Sequence, residues 1–312
     1  MPQFDVTIAG ELNLDLILYG LPEELTPERE LLADDMMLTL GSSSAILAHN
    51  LSALGSRVGF QSLMGDDQIG AIARERLEQA GVDVSRVRQR KGSAKTGLTV
   101  ILRREKWRNI LTYLGTIADL SLADLDLEYL TNSRHFHLSS YFLQKKLRPD
   151  VQKLFEKLKS AGLKISLDTN DDPDDSWNGG LAEALRYVDV FLPNAREACR
   201  ITQTDDWETA ARKLSETVPL VVVKLGVEGA IAYRGRERFS SPSLKVTAVD
   251  PVGAGDSFDA GFLHEYLHGA DVQSCLDAGN LTGALSTTCP GGTEAFRDRA
   301  YVEGFIRRHT NA

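Results

Sequence analysis

The stretch richest in chemistry is Val249–Leu263, VDPVGAGDSFDAGFL. Gly253, Ala254 and Gly255 stand directly ahead of Asp256, and Phe258, Phe262 and Tyr266 follow at helical spacing. Val246–Val249 read as the end of a strand, so the spacing predicts a helix opening at Ala254 on a turn bare of side chains. Unpaired N–H groups there, with about half a unit of positive dipole charge, make an anion site. Asp256 in the first turn lies beside any such anion. Its carboxylate can take a proton from an attacking hydroxyl while the amides hold charge developing on a transferring phosphoryl group. The plainer alternative is an acid favoured at a helix start for its charge alone. A dinucleotide fingerprint fits poorly, because Phe258 fills its last small position and the turn lies far from the first βα unit.

Other positions add oxygen and cation chemistry. Asn194 and Glu197 follow a strand at the spacing of a capping box, which also suits a hard cation that keeps its waters. Lys224, Gly226 and Gly229 punctuate VVVKLGVEGA, a hydrophobic strand running into a glycine turn. Asp15 follows the first strand, and Asn170 follows Lys164–Leu167, at the strand end where open α/β sheets bind ligands.

Asp250-Pro251-Val252-Gly253-Ala254-Gly255-Asp256 resembles the C-terminal D-T-x-G-A-G-D motif of the ribokinase-like (PfkB) sugar kinases, with Pro251 as the departure. The resemblance implies a three-layer α/β sandwich with a mainly parallel sheet and a small β-sheet lid, catalysing ATP-dependent phosphorylation of a sugar hydroxyl. It implies Asp256 as general base, and Gly253, Ala254 and Gly255 as the anion hole. Asn194 and Glu197 would organise Mg²⁺ through water, Lys224, Gly226 and Gly229 would line the ATP phosphates, and Asn280 and Gly283 would lie near adenine. Asn13, Asp15, Gly41, Ser42, Ser43 and Asn170 would meet the sugar or its nucleotide. Asp250 and the backbone of Val252 would hold a monovalent cation, potassium. Gly65–Gly70 reads as a structural turn and cap. Ser42 stands where the family has a second glycine and Ile46 where it has an asparagine, so a less flexible backbone and a non-standard sugar pocket are expected. A nucleoside kinase of the same fold, a non-catalytic sugar or nucleotide sensor and an NAD-dependent enzyme are the alternatives.

The elements that must position these residues alternate. Strands are expected at Phe4–Ala9, Val58–Leu63, His135–Ser139, Lys164–Leu167, Val188–Leu192 and Leu220–Leu225, with amphipathic helices between them. Asp15–Leu40 and Thr96–Gly115 break the rhythm and read as a second small sheet, a lid from about residues 12–40 and 96–115 on one domain spanning residues 1–312. Cations at Arg103, Arg104, Lys106 and Arg108 crowd its hairpin turn, either as solvated charges or as a grip on a phosphorylated sugar. The chain after Ala254 reads as almost wholly helical.

Composition bounds the rest. In 312 residues, 35 basic against 44 acidic side chains leave a formal net charge of −9, unsuited to coating nucleic acid or anionic lipid. Three cysteines without CxxC spacing form no disulfide framework or zinc motif. The N-terminal stretch lacks the basic start of a secretory signal, and no apolar run approaches the about 18 residues of a membrane span. A reduced cytoplasmic enzyme, homodimeric through its exposed small sheet, is expected.

Overall fold

Strands of two to seven residues form the central sheet, apolar and rich in β-branched residues in its interior, as expected where both faces are covered. The computed structural model describes residues 2–105 and 107–310; Lys106 of the hairpin cations lies outside them. Its strands in chain order are β1 (Phe4–Ala9), β2 (Asn13–Tyr19), β3 (Asp35–Leu40), β4 (Val58–Met64), β5 (Asp83–Gln89), β6 (Gly97–Arg103), β7 (Arg108–Tyr113), β8 (Ser133–Leu138), β9 (Lys164–Leu167), β10 (Val190–Phe191), β11 (Leu220–Lys224), β12 (Ala230–Arg234) and β13 (Glu237–Ser241). Nine of them form one sheet in the order β13-β12-β11-β10-β9-β8-β1-β4-β5. It is parallel from β5 to β11, and the β12–β13 hairpin joins antiparallel.

Helices cover both faces. On one side α4 (Val151–Ser160), α5 (Leu181–Leu185), α6 (Ala195–Thr202) and α7 (Trp207–Ser215) pack Leu154, Phe155, Leu185, Ala198 and Leu214 against Phe136, Ile165 and Val221. On the other, α1 (Ser43–Ala53), α2 (Gln68–Gln79), α8 (Ala254–Leu267) and α9 (Val272–Thr287) pack Leu47, Leu77, Phe262 and Leu276 against Val6, Phe60 and Val222. Val221 and Val222 lie in different clusters because strand side chains alternate. Residues Ser257–Leu263 of α8 are all buried, the mark of a helix inside the protein. The short α3 (Leu127–Thr131) leads into β8, and α10 (Arg299–Thr310) closes the chain.

The other four strands form a separate sheet, β3-β2-β6-β7. It grows from the C-terminal end of β1 and returns into α1, so it stands over the edge where loops of the large sheet converge. The Gly65–Gly70 turn does the expected capping work: Asp67 caps α2 through Gly70 N–H (2.8 Å) and ties Thr96 N–H to the same carboxylate (2.7 Å). One expectation fails. Val246–Val249 is not a strand: Val249 and Asp250 donate to Thr287 O at the end of α9 instead of to a neighbouring strand, and Leu244 and Val246 pack beside Leu285 and Phe296.

Candidate active site

The glycine turn forms as its residue types require. Gly253 caps α8 with φ 72°, in the left-handed region, and a Cβ there would overlap Gly292 Cα. Ala254 N–H turns back to Pro251 O (3.3 Å), which leaves the N–H groups of Gly255 and Asp256 without an acceptor among the described residues. Those two amides, more than the whole Gly253–Asp256 run, are what an anion would meet.

Asp256 is half-buried at this opening. Burial pushes its carboxyl up to about 7, with the negative charge of Asp168 adding to the shift while Lys224 and a hydrogen bond from Ser43 oppose it. Asp15, buried on β2, is likewise pushed up to about 7, first by burial and next by the charge of Asp256, so the two carboxyls lie within electrostatic reach of each other. Asn13 donates to Asp15 Oδ1 (3.2 Å), and a Cβ on Gly41 would overlap that same oxygen. Position 41 therefore has to be glycine for Asp15 to hold its place.

Serines and amides link the two sides. Asn170, at φ 51°, donates to Ser43 Oγ and to Ser140 Oγ (2.9 Å). Glu11, also buried, accepts from Ser140 Oγ (2.8 Å), Ser44 N (3.1 Å) and Ser44 Oγ (2.7 Å), which anchors a carboxylate at the start of α1. Ser42 keeps the glycine-like backbone of the family position at φ 70°; its hydroxyl donates to Glu11 O (2.6 Å) and accepts from Ala45 N (3.1 Å). The substitution thus leaves the loop geometry intact. Ile46 fills the space beneath the turn, against the positions Cβ atoms would take on Gly253 and Gly292.

Lys224 differs from the expectation of a cation open to a nucleotide. It is held by Asp168 Oδ2 (2.8 Å) and both oxygens of Asp259 (3.1 Å each) in a nearly buried group. Burial works against its charge, but the two carboxyls keep the ammonium protonated. Lys224 holds Asp168 ionised, while burial raises Asp259 well above the usual range and the two carboxyls share a hydrogen bond. The ammonium still lies against the turn, 3.7 Å from where a Cβ on Gly255 would sit. Asp259 and Ser140 belong to the site without a motif to mark them; the signal for Asp259 is its i+3 spacing from Asp256 on one helix face.

Asn194 and Glu197 do form the capping box: Glu197 N donates to Asn194 Oδ1 (3.0 Å) and Asn194 N to Glu197 Oε2 (2.9 Å). Burial, with Asp168 second, pushes Glu197 up to about 8. Among the described residues no cluster of three or more His, Cys, Asp or Glu is arranged to hold a metal directly. Asn194 also bridges to Lys224 across the strand ends, so the box stands beside the turn. Hard oxygen donors already tied to each other fit a cation reached through its water shell. Gly226 is open, whereas a Cβ on Gly229 would overlap Ser241 O, and Gly283 faces Ala254 O and Phe258 where α8 and α9 cross. Asn280 donates to Ser241 O (3.0 Å) and lines a cavity of about 750 Å³ with Pro242, Ser243 and Asp277. Asp250 is fully buried and accepts from Tyr19 OH (2.9 Å), Val252 N (3.1 Å) and Gly291 N (3.2 Å). Val252 packs on Ile17 and Ile101, which docks the small sheet.

Residues 3–299 match the model of the pfkB family of carbohydrate kinases. An ATP-dependent ribose-1-phosphate kinase of Halopiger xanaduensis is 30% identical over 293 residues, 93% of this chain and 94% of that one. A 2-dehydro-3-deoxygluconokinase of Bacillus subtilis is 27% identical over 280 residues, 86% of each chain. Among solved structures, a protein described as ribokinase II from E. coli, in complex with ATP and Mg²⁺, superposes with a TM-score of 0.84 at 25% identity, covering 98% of this chain and all of that one. An anion turn, a raised carboxyl beside it and these likenesses agree: the chain belongs to the pfkB family of carbohydrate kinases, phosphotransferases with an alcohol acceptor.

Proposed function

We propose that this sugar kinase moves the γ-phosphoryl group of ATP to a hydroxyl of a small carbohydrate, with Asp256 as the base. The observation that carries the reading is Asp256 itself, a half-buried carboxyl that burial pushes up to about 7, beside two helix amides with no acceptor among the described residues. A base with its pKa near the working pH combines a large ionised fraction with good proton affinity. Asp15 and Asn13 hold the sugar so that one hydroxyl meets Asp256, and Gly255 and Asp256 N–H stabilise the equatorial oxygens in the transition state. Lys224, held between Asp168 and Asp259, offsets their negative charge at the floor of the site and so limits repulsion of phosphate. Mg²⁺ near Asn194 and Glu197 would shield the nucleotide's charge when bound. Three protein donors already engage the carboxylate of Asp250, so the residues present do not fit potassium there. The small sheet acts as the lid that excludes water from phosphoryl transfer.

The relatives named above act on a sugar phosphate and on a sugar acid, which makes the class of acceptor the open variable. The test of the reading is ADP release over sugars, sugar acids, sugar phosphates and adenosine with Mg-ATP. The Asp256→Asn variant is expected to bind nucleotide and lose most turnover. A homodimer through the outer face of the small sheet is supported by its exposed Met36, Leu38, Leu111 and Tyr113, which alternate with the body-facing residues.

A further inference from the structure

We infer that α8 carries a second site at its far end, where His264 and His268 together take one transition-metal ion of the zinc, copper or nickel kind. The stretch His264-Glu265-Tyr266-Leu267-His268 has the H-E-x-x-H pattern, in which two histidines four apart on one helix face hold zinc. The pattern lies on a formed helix: α8 runs to Leu267, and the backbone N–H of His268 caps it on Glu265 O and Tyr266 O. Side chains at that spacing are neighbours, and the two imidazole centroids lie 4.5 Å apart. Two rings bound through Nε2 at about 2.0–2.1 Å, with about 90–110° between them at the ion, have centroids about 4.5–5 Å apart. The spacing of this pair meets that requirement.

The hydrogen bonds around the pair leave the ligating atoms open. His268 Nδ1 donates to His264 O (2.6 Å), and His264 Nδ1 meets Ser56 Oγ (2.9 Å). Among the described residues neither Nε2 has a partner. A metal-binding histidine ordinarily donates its other ring N–H to an oxygen acceptor, which fixes its tautomer and orientation. His268 has that outer partner in a carbonyl, and Ser56 serves as one for His264. His268 is exposed and His264 half-buried against the cavity of about 750 Å³, so an ion has an entry path and room for waters. The position also favours a cation, because the last turn of this 14-residue helix carries negative dipole charge. No third His, Cys, Asp or Glu joins the pair among the described residues. The remaining positions fall to water, which makes this an exchangeable site, neither the closed four-ligand kind that holds a fold together nor the three-ligand kind that hydrolyses bonds. Imidazole selects such ions over Mg²⁺, and His264 follows Asp256 by eight residues, about 12 Å along the helix. The site is thus separate from the one that handles Mg-ATP, and it stands whether or not Asp256 is the base.

The test is Zn²⁺ binding to the full chain, measured by calorimetry after treatment with chelator, on the wild type, His264→Gln, His268→Gln and the double variant, each with and without excess Mg²⁺. One zinc site per chain is expected, undiminished by Mg²⁺. Either single variant should weaken it by at least about 10–100-fold, the cost of losing even an outer partner of a ligand. Cu²⁺ bound to the wild type should show the nitrogen couplings of two imidazoles in its paramagnetic resonance spectrum, and those of one in either single variant. Melting in chelator reports folding separately: His268 is exposed at the helix end and Gln is a good helix former, so His268→Gln should melt with the wild type. Zn²⁺ should then raise the melting temperature of the wild type and leave that of the double variant unchanged. A wild type that binds no Zn²⁺, a double variant that binds it with wild-type affinity, or displacement of Zn²⁺ by Mg²⁺ overturns the inference; the second of these outcomes would move the ion to the cysteines or to the carboxylates around Asp256.

Discussion

A serine in a glycine's conformation shows how the site is held at the residue scale. Ser42 at φ 70° stores strain of about 1–3 kcal/mol, offset by its hydroxyl bonds to Glu11 O and Ala45 N. Ser42→Gly and Ser42→Ala both lose the two hydroxyl bonds, but only the Gly variant releases the strain. Denaturant unfolding is expected to place the Gly variant about 1 kcal/mol or more above the Ala variant; the reverse order would mean the backbone is unstrained. Residues of this kind are legible in part. Small residues ahead of Asp256 announce the anion turn because only they leave amides bare. The Asp168–Lys224–Asp259 group was illegible because its members meet across 35 to 56 positions of sequence, brought together only by the packing of β9, β11 and α8.

At the scale of elements, the turn before α8 has two reasons to be glycine. Gly253→Ala would strain a left-handed residue and push on Gly292. We expect it to cost about 1–3 kcal/mol of stability and to raise KM for ATP as the free amides of Gly255 and Asp256 shift; unchanged stability and KM would remove the turn from the mechanism. Apolar runs made the parallel strands readable, since a strand covered on both faces has little choice of residue: β1 and β9 coincide with expectation, β4 and β11 differ by one residue at one end, and β8 and β10 by one or two residues at each end. The edge elements hid themselves. β5 carries Arg86 and Arg88, β13 carries Glu237 and Arg238, and charges that protect an edge also erase its apolar pattern. Val246–Val249 misled for the opposite reason: Val246 packs beside α9 and α10 and exposed Val249 bonds through its backbone to the end of α9, neither of which has anything to do with a sheet.

For the molecule as a whole, charge in the site works against folding. Asp15 and Asp256 are both pushed up to about 7, first by burial, with the charge of Asp256 adding at Asp15 and that of Asp168 adding at Asp256. A raised acid contributes stability that is complete below its unfolded pKa and is lost as pH rises through the folded one. Asp5, held low by Arg57, acts in the other direction and loses its contribution only in strong acid. The ligand-free enzyme should therefore melt at a higher temperature near about pH 6 than near about pH 8.5, and Asp15→Asn should flatten that slope; an equal slope in the variant would contradict the assignment. The outer face of the small sheet makes a separate claim on assembly. Leu111→Glu is expected to convert a dimer to monomers in sedimentation, because a buried unpaired charge at an apolar interface is strongly unfavourable; a monomeric wild type would refute that face as an interface.

The measurement closest to the centre of the account is the pH dependence of kcat/KM for wild type and Asp256→Asn, using the best acceptor found. Wild-type activity should climb with pH and level off near 7, a limb that belongs to the Asp15–Asp256 pair jointly. The Asn variant should fall by about 10²–10⁴-fold, with any remaining limb moved to lower pH as Asp15 loses its charged neighbour. A variant within tenfold of wild type, with its limb unmoved, would show that Asp256 does not take the proton.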